Sequence, residues 1–253
     1  MYYDNNWAVI IPMANEEQEF EPFTTALKAM LDRLASGTVY FIIDRVSTDG
    51  TLAMAQALQL QDPRFQTVFC TQNRNVVDAY LNGYRYALAQ GHKFIIEMDA
   101  GLSHDPRALP MFLRVLNEGN ECAFGSRNIN GGSMASSSPR RRFLSWFGTV
   151  LANLMLGTSL RDMTSGYQGF HAYVVEAFLQ YPLQSKAHFY QTELRYLLRD
   201  TRYMEVPIHY RAPSPSVSRS AIGNSLTTLW HYTWLRIRGA SPKINVDFRP
   251  LDH

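Results

Sequence analysis

The sequence predicts an α/β fold: a mostly parallel sheet with helices on both faces, followed by amphipathic helices toward the C-terminus. Three observations carry this. Short apolar runs of strand length alternate with helical periodicity through the first half of the chain. The 253 residues suffice for one large α/β domain with a sizeable core. Apolar residues make up 46% and charged residues 18%, the balance of a globular chain rather than a disordered one.

Residues 7–11 read as a buried strand. Helical spacing follows over 17–34, with Phe20, Phe23, Leu27, Met30, Leu31 and Leu34 on one side. The second strand is 38–43, then a turn-rich loop over 44–50 and a helix over 51–60. Residues 65–70 form a third strand, and 76–90 a helix stopped by Gly91. The fourth strand is 93–98. Pro106 starts the next helix with Asp105 as its cap, and 121–124 is a fifth strand. The Gly/Ser-rich stretch 128–139 is a loop.

The second half is less regular. Residues 142–157 form an amphipathic helix with an unusually wide apolar face, and 162–169 a loop. A helix over 189–200 and a strand over 203–208 precede a Pro/Ser loop at 211–220. The last helix, 221–238, places Ile222, Leu226, Leu229, Trp230, Thr233 and Ile237 on one face. Residues 239–253 read as a tail.

The net charge of +2 gives no reason to expect nucleic acid as a partner. The basic clusters are local: Arg140, Arg141 and Arg142, then Arg236 and Arg238. Cys70 and Cys122 each sit at the end of a predicted strand without metal-ligand spacing, as buried thiols of a reducing compartment do. Residues 1–7 are polar and read as no leader. The best membrane candidate, 143–157, falls short of the roughly 18–20 residues a span requires and contains Ser145, Gly148, Thr149 and Asn153. A cytoplasmic protein that touches a membrane surface is the expectation.

In open α/β sheets, ligands bind beyond the carboxyl ends of the strands. Each of the first five strands here runs into residues suited to one: Pro12 to Glu16, including Asn15; Asp44 and then Ser47 to Gly50; Asn73; Asp99; and Gly125-Ser126-Arg127. Neither a G-x-G-x-x-G turn nor a G-x-x-x-x-G-K-[ST] loop is present. This disfavours a dinucleotide and excludes a phosphate loop. A mononucleotide held by side chains remains, with at least one carboxylate free for a metal. Asp99 ends the fourth strand, where a hard divalent ion would bridge a diphosphate. His104, five residues on, reads equally as a ligand or as a solvated loop histidine.

The motifs PMANEE, IIDRVSTDGT, EMDAGLSHDP, GSR, RRRFLSWFG, DMTSGYQGF and EVPI follow in that order from about residue 7 to 238. Together they resemble the family-two inverting glycosyltransferases of the GT-A fold, a Rossmann-like arrangement. Within these the chain is most similar to polyprenyl-phosphate sugar synthases of the dolichyl-phosphate mannosyltransferase type. The resemblance implies one catalytic domain over 1–238, with a nucleotide-binding part near 7–127 and an acceptor- and membrane-facing part near 128–238. It implies a GDP- or UDP-linked sugar donor, a polyprenyl phosphate acceptor, a divalent Mg²⁺ or Mn²⁺ and a peripheral place on the cytoplasmic face of a membrane. Pro12, Asn15, Glu16, Asp44, Asn73 and Asp99 fall on the donor side, with Asp99 the metal ligand. Arg127, Arg140, Thr164, Ser165, Gln191, Glu193 and Arg211 fall on the acceptor side. Asp99, Asp162 and Arg127 are then the catalytic candidates.

Three positions depart from the family pattern. The usual paired acid after the second strand is Asp44-Arg45. The usual D-x-D after the fourth is Asp99-Ala100-Gly101. The arginine common in the TSG segment is Gln168.

The acceptor decides what chemistry is needed. A lipid monophosphate is already ionised at neutral pH, so arginines such as Arg127 and Arg211 would matter more than a base. A hydroxyl acceptor would need one, and Asp162 is the candidate. The altered D-x-D also suits a third possibility, a catalytically weak sugar-nucleotide-binding protein. Residues 142–157 favour membrane contact, because three arginines lead into Trp146 and Phe147. For 221–238, membrane and core are equally open.

Overall fold

The computed structural model describes residues 6–34, 37–101, 103–211 and 219–249. The expected Pro/Ser loop falls outside these from 212 to 218, as do residues 1–5 and 250–253.

Seven strands form one sheet. They are β1 (Trp7–Met13), β2 (Thr38–Ile43), β3 (Phe65–Phe69), β4 (Phe94–Glu97), β5 (Cys122–Ser126), β6 (Gln168–His171) and β7 (Tyr203–Pro207), in the order β3-β2-β1-β4-β6-β5-β7. All pairings are parallel except those of β6, which runs antiparallel to both β4 and β5. The loop expected over 162–169 therefore ends in a strand. Its four residues, Gln-Gly-Phe-His, carry no apolar alternation, and neighbours on both sides define it. Gly169 fits there because a Cβ would lie 3.1 Å from Ile96 and 3.3 Å from Phe112.

The helices are α1 (Glu17–Leu34), α2 (Thr51–Gln61), α3 (Val76–Ala89), α4 (Leu109–Asn117), α5 (Pro139–Leu156), α6 (Ala172–Leu179), α7 (Tyr190–Leu197) and α8 (Arg219–Ile237). A 3-10 turn, Pro106–Ala108, precedes α4, and Asp105 caps it by accepting from Arg107 N–H. One core lies between the sheet and α1 and α4, through Phe20, Phe23, Phe41 and Phe112. The other holds Tyr84, Phe124, Phe170, Phe178 and Leu194 beneath α3, α6 and α7.

The C-terminal third departs most from expectation. Residues 239–249, read as a tail, lie against the domain: Ile244 is buried and donates its N–H to Leu197 O, while Arg199 donates to the carbonyls of Ser241 and Pro242. Helix α5 buries Thr149, Ala152 and Leu156 and exposes Phe143, Leu144, Trp146, Phe147, Val150 and Leu154. Helix α8 buries Thr228, Leu229 and Tyr232 and leaves Ile222, Leu226, Trp230 and Ile237 exposed. Of the apolar face expected for this helix, only the part at Leu229 is buried, and the rest is open to solvent. Arg236 joins the helices by donating to the carbonyls of Leu154 and Met155 near the end of α5. No helix among the described residues is long and apolar enough to cross a membrane.

Candidate active site

The carboxyl ends of β1, β2, β3 and β4 open on a cleft of about 320 Å³. Pro12, Glu16, Asp44, Asn73 and Asp99 all line it, beside Tyr80, Ser103 and His188. Asn15 is the exception among the expected donor residues. Its backbone is left-handed, at φ 57°, which asparagine tolerates well. Its side chain donates to Val46 O at 3.1 Å and accepts from Thr48 N–H at 2.9 Å, tying the loop after β1 to the loop after β2. Asp44 Oδ1 accepts from Val46 N–H at 3.0 Å. Asn73 is 5% exposed; its Oδ1 accepts from Asn82, and its Nδ2 has no partner. A buried amide donor without a partner is costly, and a ligand oxygen in the cleft would satisfy it.

Asp99 lies just past β4. Tyr80 of α3 donates to its Oδ1 at 2.5 Å, and its N–H donates to His104 Nδ1 at 3.1 Å. That bond leaves the imidazole proton on Nε2, 3.7 Å from Asp99 Oδ2. His104 is buried and stacked on Tyr167, so it is no solvated loop histidine, and burial depresses its pKa against the opposing pull of Asp99. Burial would raise Asp99, but the fields of His104 and His188, the Tyr80 hydroxyl and Arg127 outweigh it, and its pKa lies below the ordinary value. Glu16 is shifted upward, first by burial and then by Glu19, Asp49 and Asp99.

Behind Asp99 sits a second acid that the strand pattern hides. Glu97 is fully buried and accepts from Tyr84 at 2.7 Å, Tyr190 at 2.5 Å and Gln191 at 2.9 Å. Burial pushes its pKa up to about 8 against these three donors. Gln191 also donates to Gly166 O, so α7 ties β4 to the loop before β6.

Arg127 and Asp162, 35 residues apart, form a buried bidentate pair. Arg127 Nε donates to Asp162 Oδ2 at 2.7 Å and Nη2 to Oδ1 at 2.8 Å. The N–H groups of Arg127 and Thr164 also donate to this carboxylate. Burial alone would raise Asp162, but the charge and hydrogen bonds of Arg127 bring its pKa down to about 2. Arg195, wholly buried, braces the same corner by donating to the carbonyls of Asp162, Gly125 and Tyr167. An arginine on a helix buried all round has no sequence signal that separates it from a surface one. Thr164 Oγ1 accepts from Arg127 Nη2 at 2.6 Å and meets Ser145 of α5 at 3.0 Å. The Tyr210 ring lies between Arg127 and Arg141, whose guanidinium carbons are 5.7 and 5.2 Å from its centroid.

A pocket of about 560 Å³ opens at this corner, lined by Arg127, Asn128, Ser133, Met134, Ala135, Arg142, Phe143 and Trp146. The other acceptor-side expectations fall elsewhere. Arg140 is exposed at the start of α5, and Arg211 pairs with Asp105 at 3.1 Å. Ser165 is buried against Tyr167 N–H. Glu193 accepts from Gln184 N–H, Ser185 N–H and the Tyr232 hydroxyl, which anchors α8 rather than lining a pocket.

Among the described residues, no group of three or more His, Cys, Asp or Glu side chains forms that could hold a metal ion. Magnesium-type sites on phosphate substrates need only one or two carboxylates, with phosphate and water completing the shell. Asp99 on the cleft supplies such a donor.

A family model described as "Glycosyl transferase family 2" matches residues 8–179. The undecaprenyl-phosphate mannosyltransferase of Micrococcus luteus is 30% identical over 203 residues, 79% of this chain and 82% of the relative. The polyprenol monophosphomannose synthase of Mycolicibacterium smegmatis is 29% identical over 234 residues, 91% and 87% of the two chains. Among solved structures, glucosyl-3-phosphoglycerate synthase from Mycobacterium tuberculosis in complex with UDP superposes with a TM-score of 0.67 at 16% identity, covering 91% of this chain and 80% of that one. The same synthase with Mn²⁺, UDP and phosphoglyceric acid gives 0.65 at 16% identity, covering 92% and 78%. At such identity the likeness shows the fold.

Proposed function

The chain belongs to glycosyl transferase family 2 and has the GT-A fold, and from this we propose that it moves a sugar from a nucleotide-sugar donor to a polyprenyl phosphate, with inversion, at a membrane surface. The names of the two bacterial relatives support the lipid phosphate acceptor and mannose as the sugar. One observation in the structure carries the reading. A polar cleft at the sheet edge neighbours a pocket whose lining begins with Arg127 and Arg142 and continues into Phe143 and Trp146 of the exposed apolar helix. An anionic head with an apolar tail matches that sequence of surfaces.

The donor occupies the cleft, with Asn73 and Asp44 toward the nucleoside and Asp99 toward the diphosphate. A divalent cation bound there would neutralise the charge that develops on the leaving diphosphate. An acceptor phosphate oxygen attacks the anomeric carbon as the bond to the donor diphosphate breaks, and the nucleoside diphosphate leaves. The phosphate is already ionised, so the chain needs no base, and Asp162 is unsuited to being one: Arg127 holds both its oxygens, and it stays ionised at every pH where transfer would be measured. This favours the phosphate over a hydroxyl. Arg142 is left to hold the acceptor phosphate.

Arg142→Ala is expected to raise KM for a short-chain polyprenyl phosphate about tenfold, because the phosphate then lacks one charge-assisted hydrogen bond, and to leave binding of the nucleotide sugar within about twofold. Steady-state kinetics with varied lipid, beside calorimetry of the donor, checks this; an unchanged lipid KM counts against the acceptor site.

The exposed faces of α5 and α8 are the membrane contact. Arginines near an anionic surface contribute about 1 kcal/mol each, so Arg140, Arg141 and Arg142 need the insertion of residues such as Trp146 and Phe147 to hold the protein there. Replacing all three arginines by Glu is expected to release the protein from anionic liposomes in a flotation assay. Wild-type protein that ignores such liposomes would contradict the membrane contact.

A further inference from the structure

The D-x-D pattern lacks its second acid, because Gly101 stands where the carboxylate would be. The structure brings another carboxylate to that spot. A Cβ built on Gly101 would lie 3.7 Å from Glu16 Oε2, the one atom of the described residues within 4 Å of it beyond its own chain neighbours. Glu16 comes from the loop after β1 and Asp99 from the end of β4, adjacent strands in the sheet, and both line the donor cleft. Among the described residues, no Lys or Arg forms an ion pair with the carboxylate of Glu16 or Asp99. Two carboxylates facing one cleft repel each other, as the upward push of Asp99 on Glu16 shows, and a cation between them removes the cost. A separate feature of the cleft also calls for a ligand: the buried Asn73 Nδ2, which no group among the described residues satisfies.

We infer that Glu16 supplies the second carboxylate for a divalent cation, with Asp99, in place of the acid absent at position 101. The duty has moved from the loop after β4 to the loop after β1. Oxygen donors suit Mg²⁺ and Mn²⁺, and two carboxylates would leave the remaining positions to diphosphate oxygens and water. The backbone holds Glu16 in place: its N–H donates to Thr51 Oγ1 at 2.8 Å. Gly101 has φ 73°, a conformation that aspartate enters more readily than most residues, so an acid can be returned there. The inference rests on the donor reading above and reaches further, since that reading needs only Asp99.

The test is Mn²⁺ affinity, by electron paramagnetic resonance, of the full chain with GDP and, separately, with UDP. Glu16→Gln is expected to weaken Mn²⁺ binding at least about tenfold, and the exchange Glu16→Gln with Gly101→Asp to restore it to within about threefold. Thermal denaturation of each variant confirms folding, and metal-free nucleoside binding should not change in Glu16→Gln. Wild-type protein that takes up neither GDP nor UDP with Mn²⁺ would overturn the donor reading itself. Wild-type Mn²⁺ affinity retained by Glu16→Gln overturns the role of Glu16 alone. So does an exchange variant that fails to recover the metal, or an equal loss of nucleoside binding without metal, which would make Glu16 a ribose contact.

Discussion

Asp99→Asn is expected to lower transfer by about three orders of magnitude at saturating donor while leaving the fold intact, the size of effect seen when a charge-stabilising group is removed from a preorganised site. Asparagine matches aspartate in shape and can still accept from Tyr80, so the packing of α3 on β4 survives. The negative charge at the tip of β4 does not. Every other acid on the cleft comes from the loops after β1 and β2, and none sits beyond β4 itself. Turnover measured beside thermal denaturation checks the prediction. Near-normal turnover by a folded variant would remove Asp99 from the chemistry.

Arg127→Ala is expected to destabilise the protein by about 3–5 kcal/mol, because it removes the guanidinium paired with Asp162 and leaves that carboxylate ionised in the interior with only neutral donors against it. Urea unfolding should show the loss. Adding Asp162→Asn should recover part of it, since the uncompensated charge is then gone. The acid limb follows from the same pair. Asp162 has a folded pKa of about 2 against an ordinary value of 3.8, a depressed carboxylate. Its contribution is therefore present above about pH 4 and is lost as pH falls through about 2. In Arg127→Ala acid unfolding should begin at higher pH. A variant as stable as wild type would mean that the pair carries no structural role.

Much of this architecture is legible in the residues alone. The first five strands declare themselves because each is a short apolar run between helices of regular period, and the carboxyl ends of the first four carry Pro12, Glu16, Asp44, Asn73 and Asp99 into one cleft. What stays hidden depends on partners far along the chain. Strand β6 exists through β4 and β5, not through any pattern in Gln-Gly-Phe-His. Arg127 looks like a free phosphate ligand until Asp162 is found against it. Tyr80 sits on a helix whose buried face is expected, yet its hydroxyl ends on Asp99. Helix α8 carries a broad apolar side, so periodicity cannot tell that Leu229 is covered while Trp230 stays out; that depends on packing such as the buried Tyr232, bonded to Glu193 of α7. The altered D-x-D likewise reads as a plain loss until the fold brings Glu16 beside Gly101.

The most direct test of the central reading is the product. Protein incubated with radiolabelled GDP- or UDP-hexose and Mn²⁺ should be offered, side by side, a short polyprenyl phosphate and the same polyprenol without its phosphate. The account predicts label in a lipid phosphosugar, with release of one nucleoside diphosphate per sugar moved and no label on the free polyprenol. Equal or better transfer to the unphosphorylated polyprenol, or release of free sugar with neither lipid labelled, would contradict it.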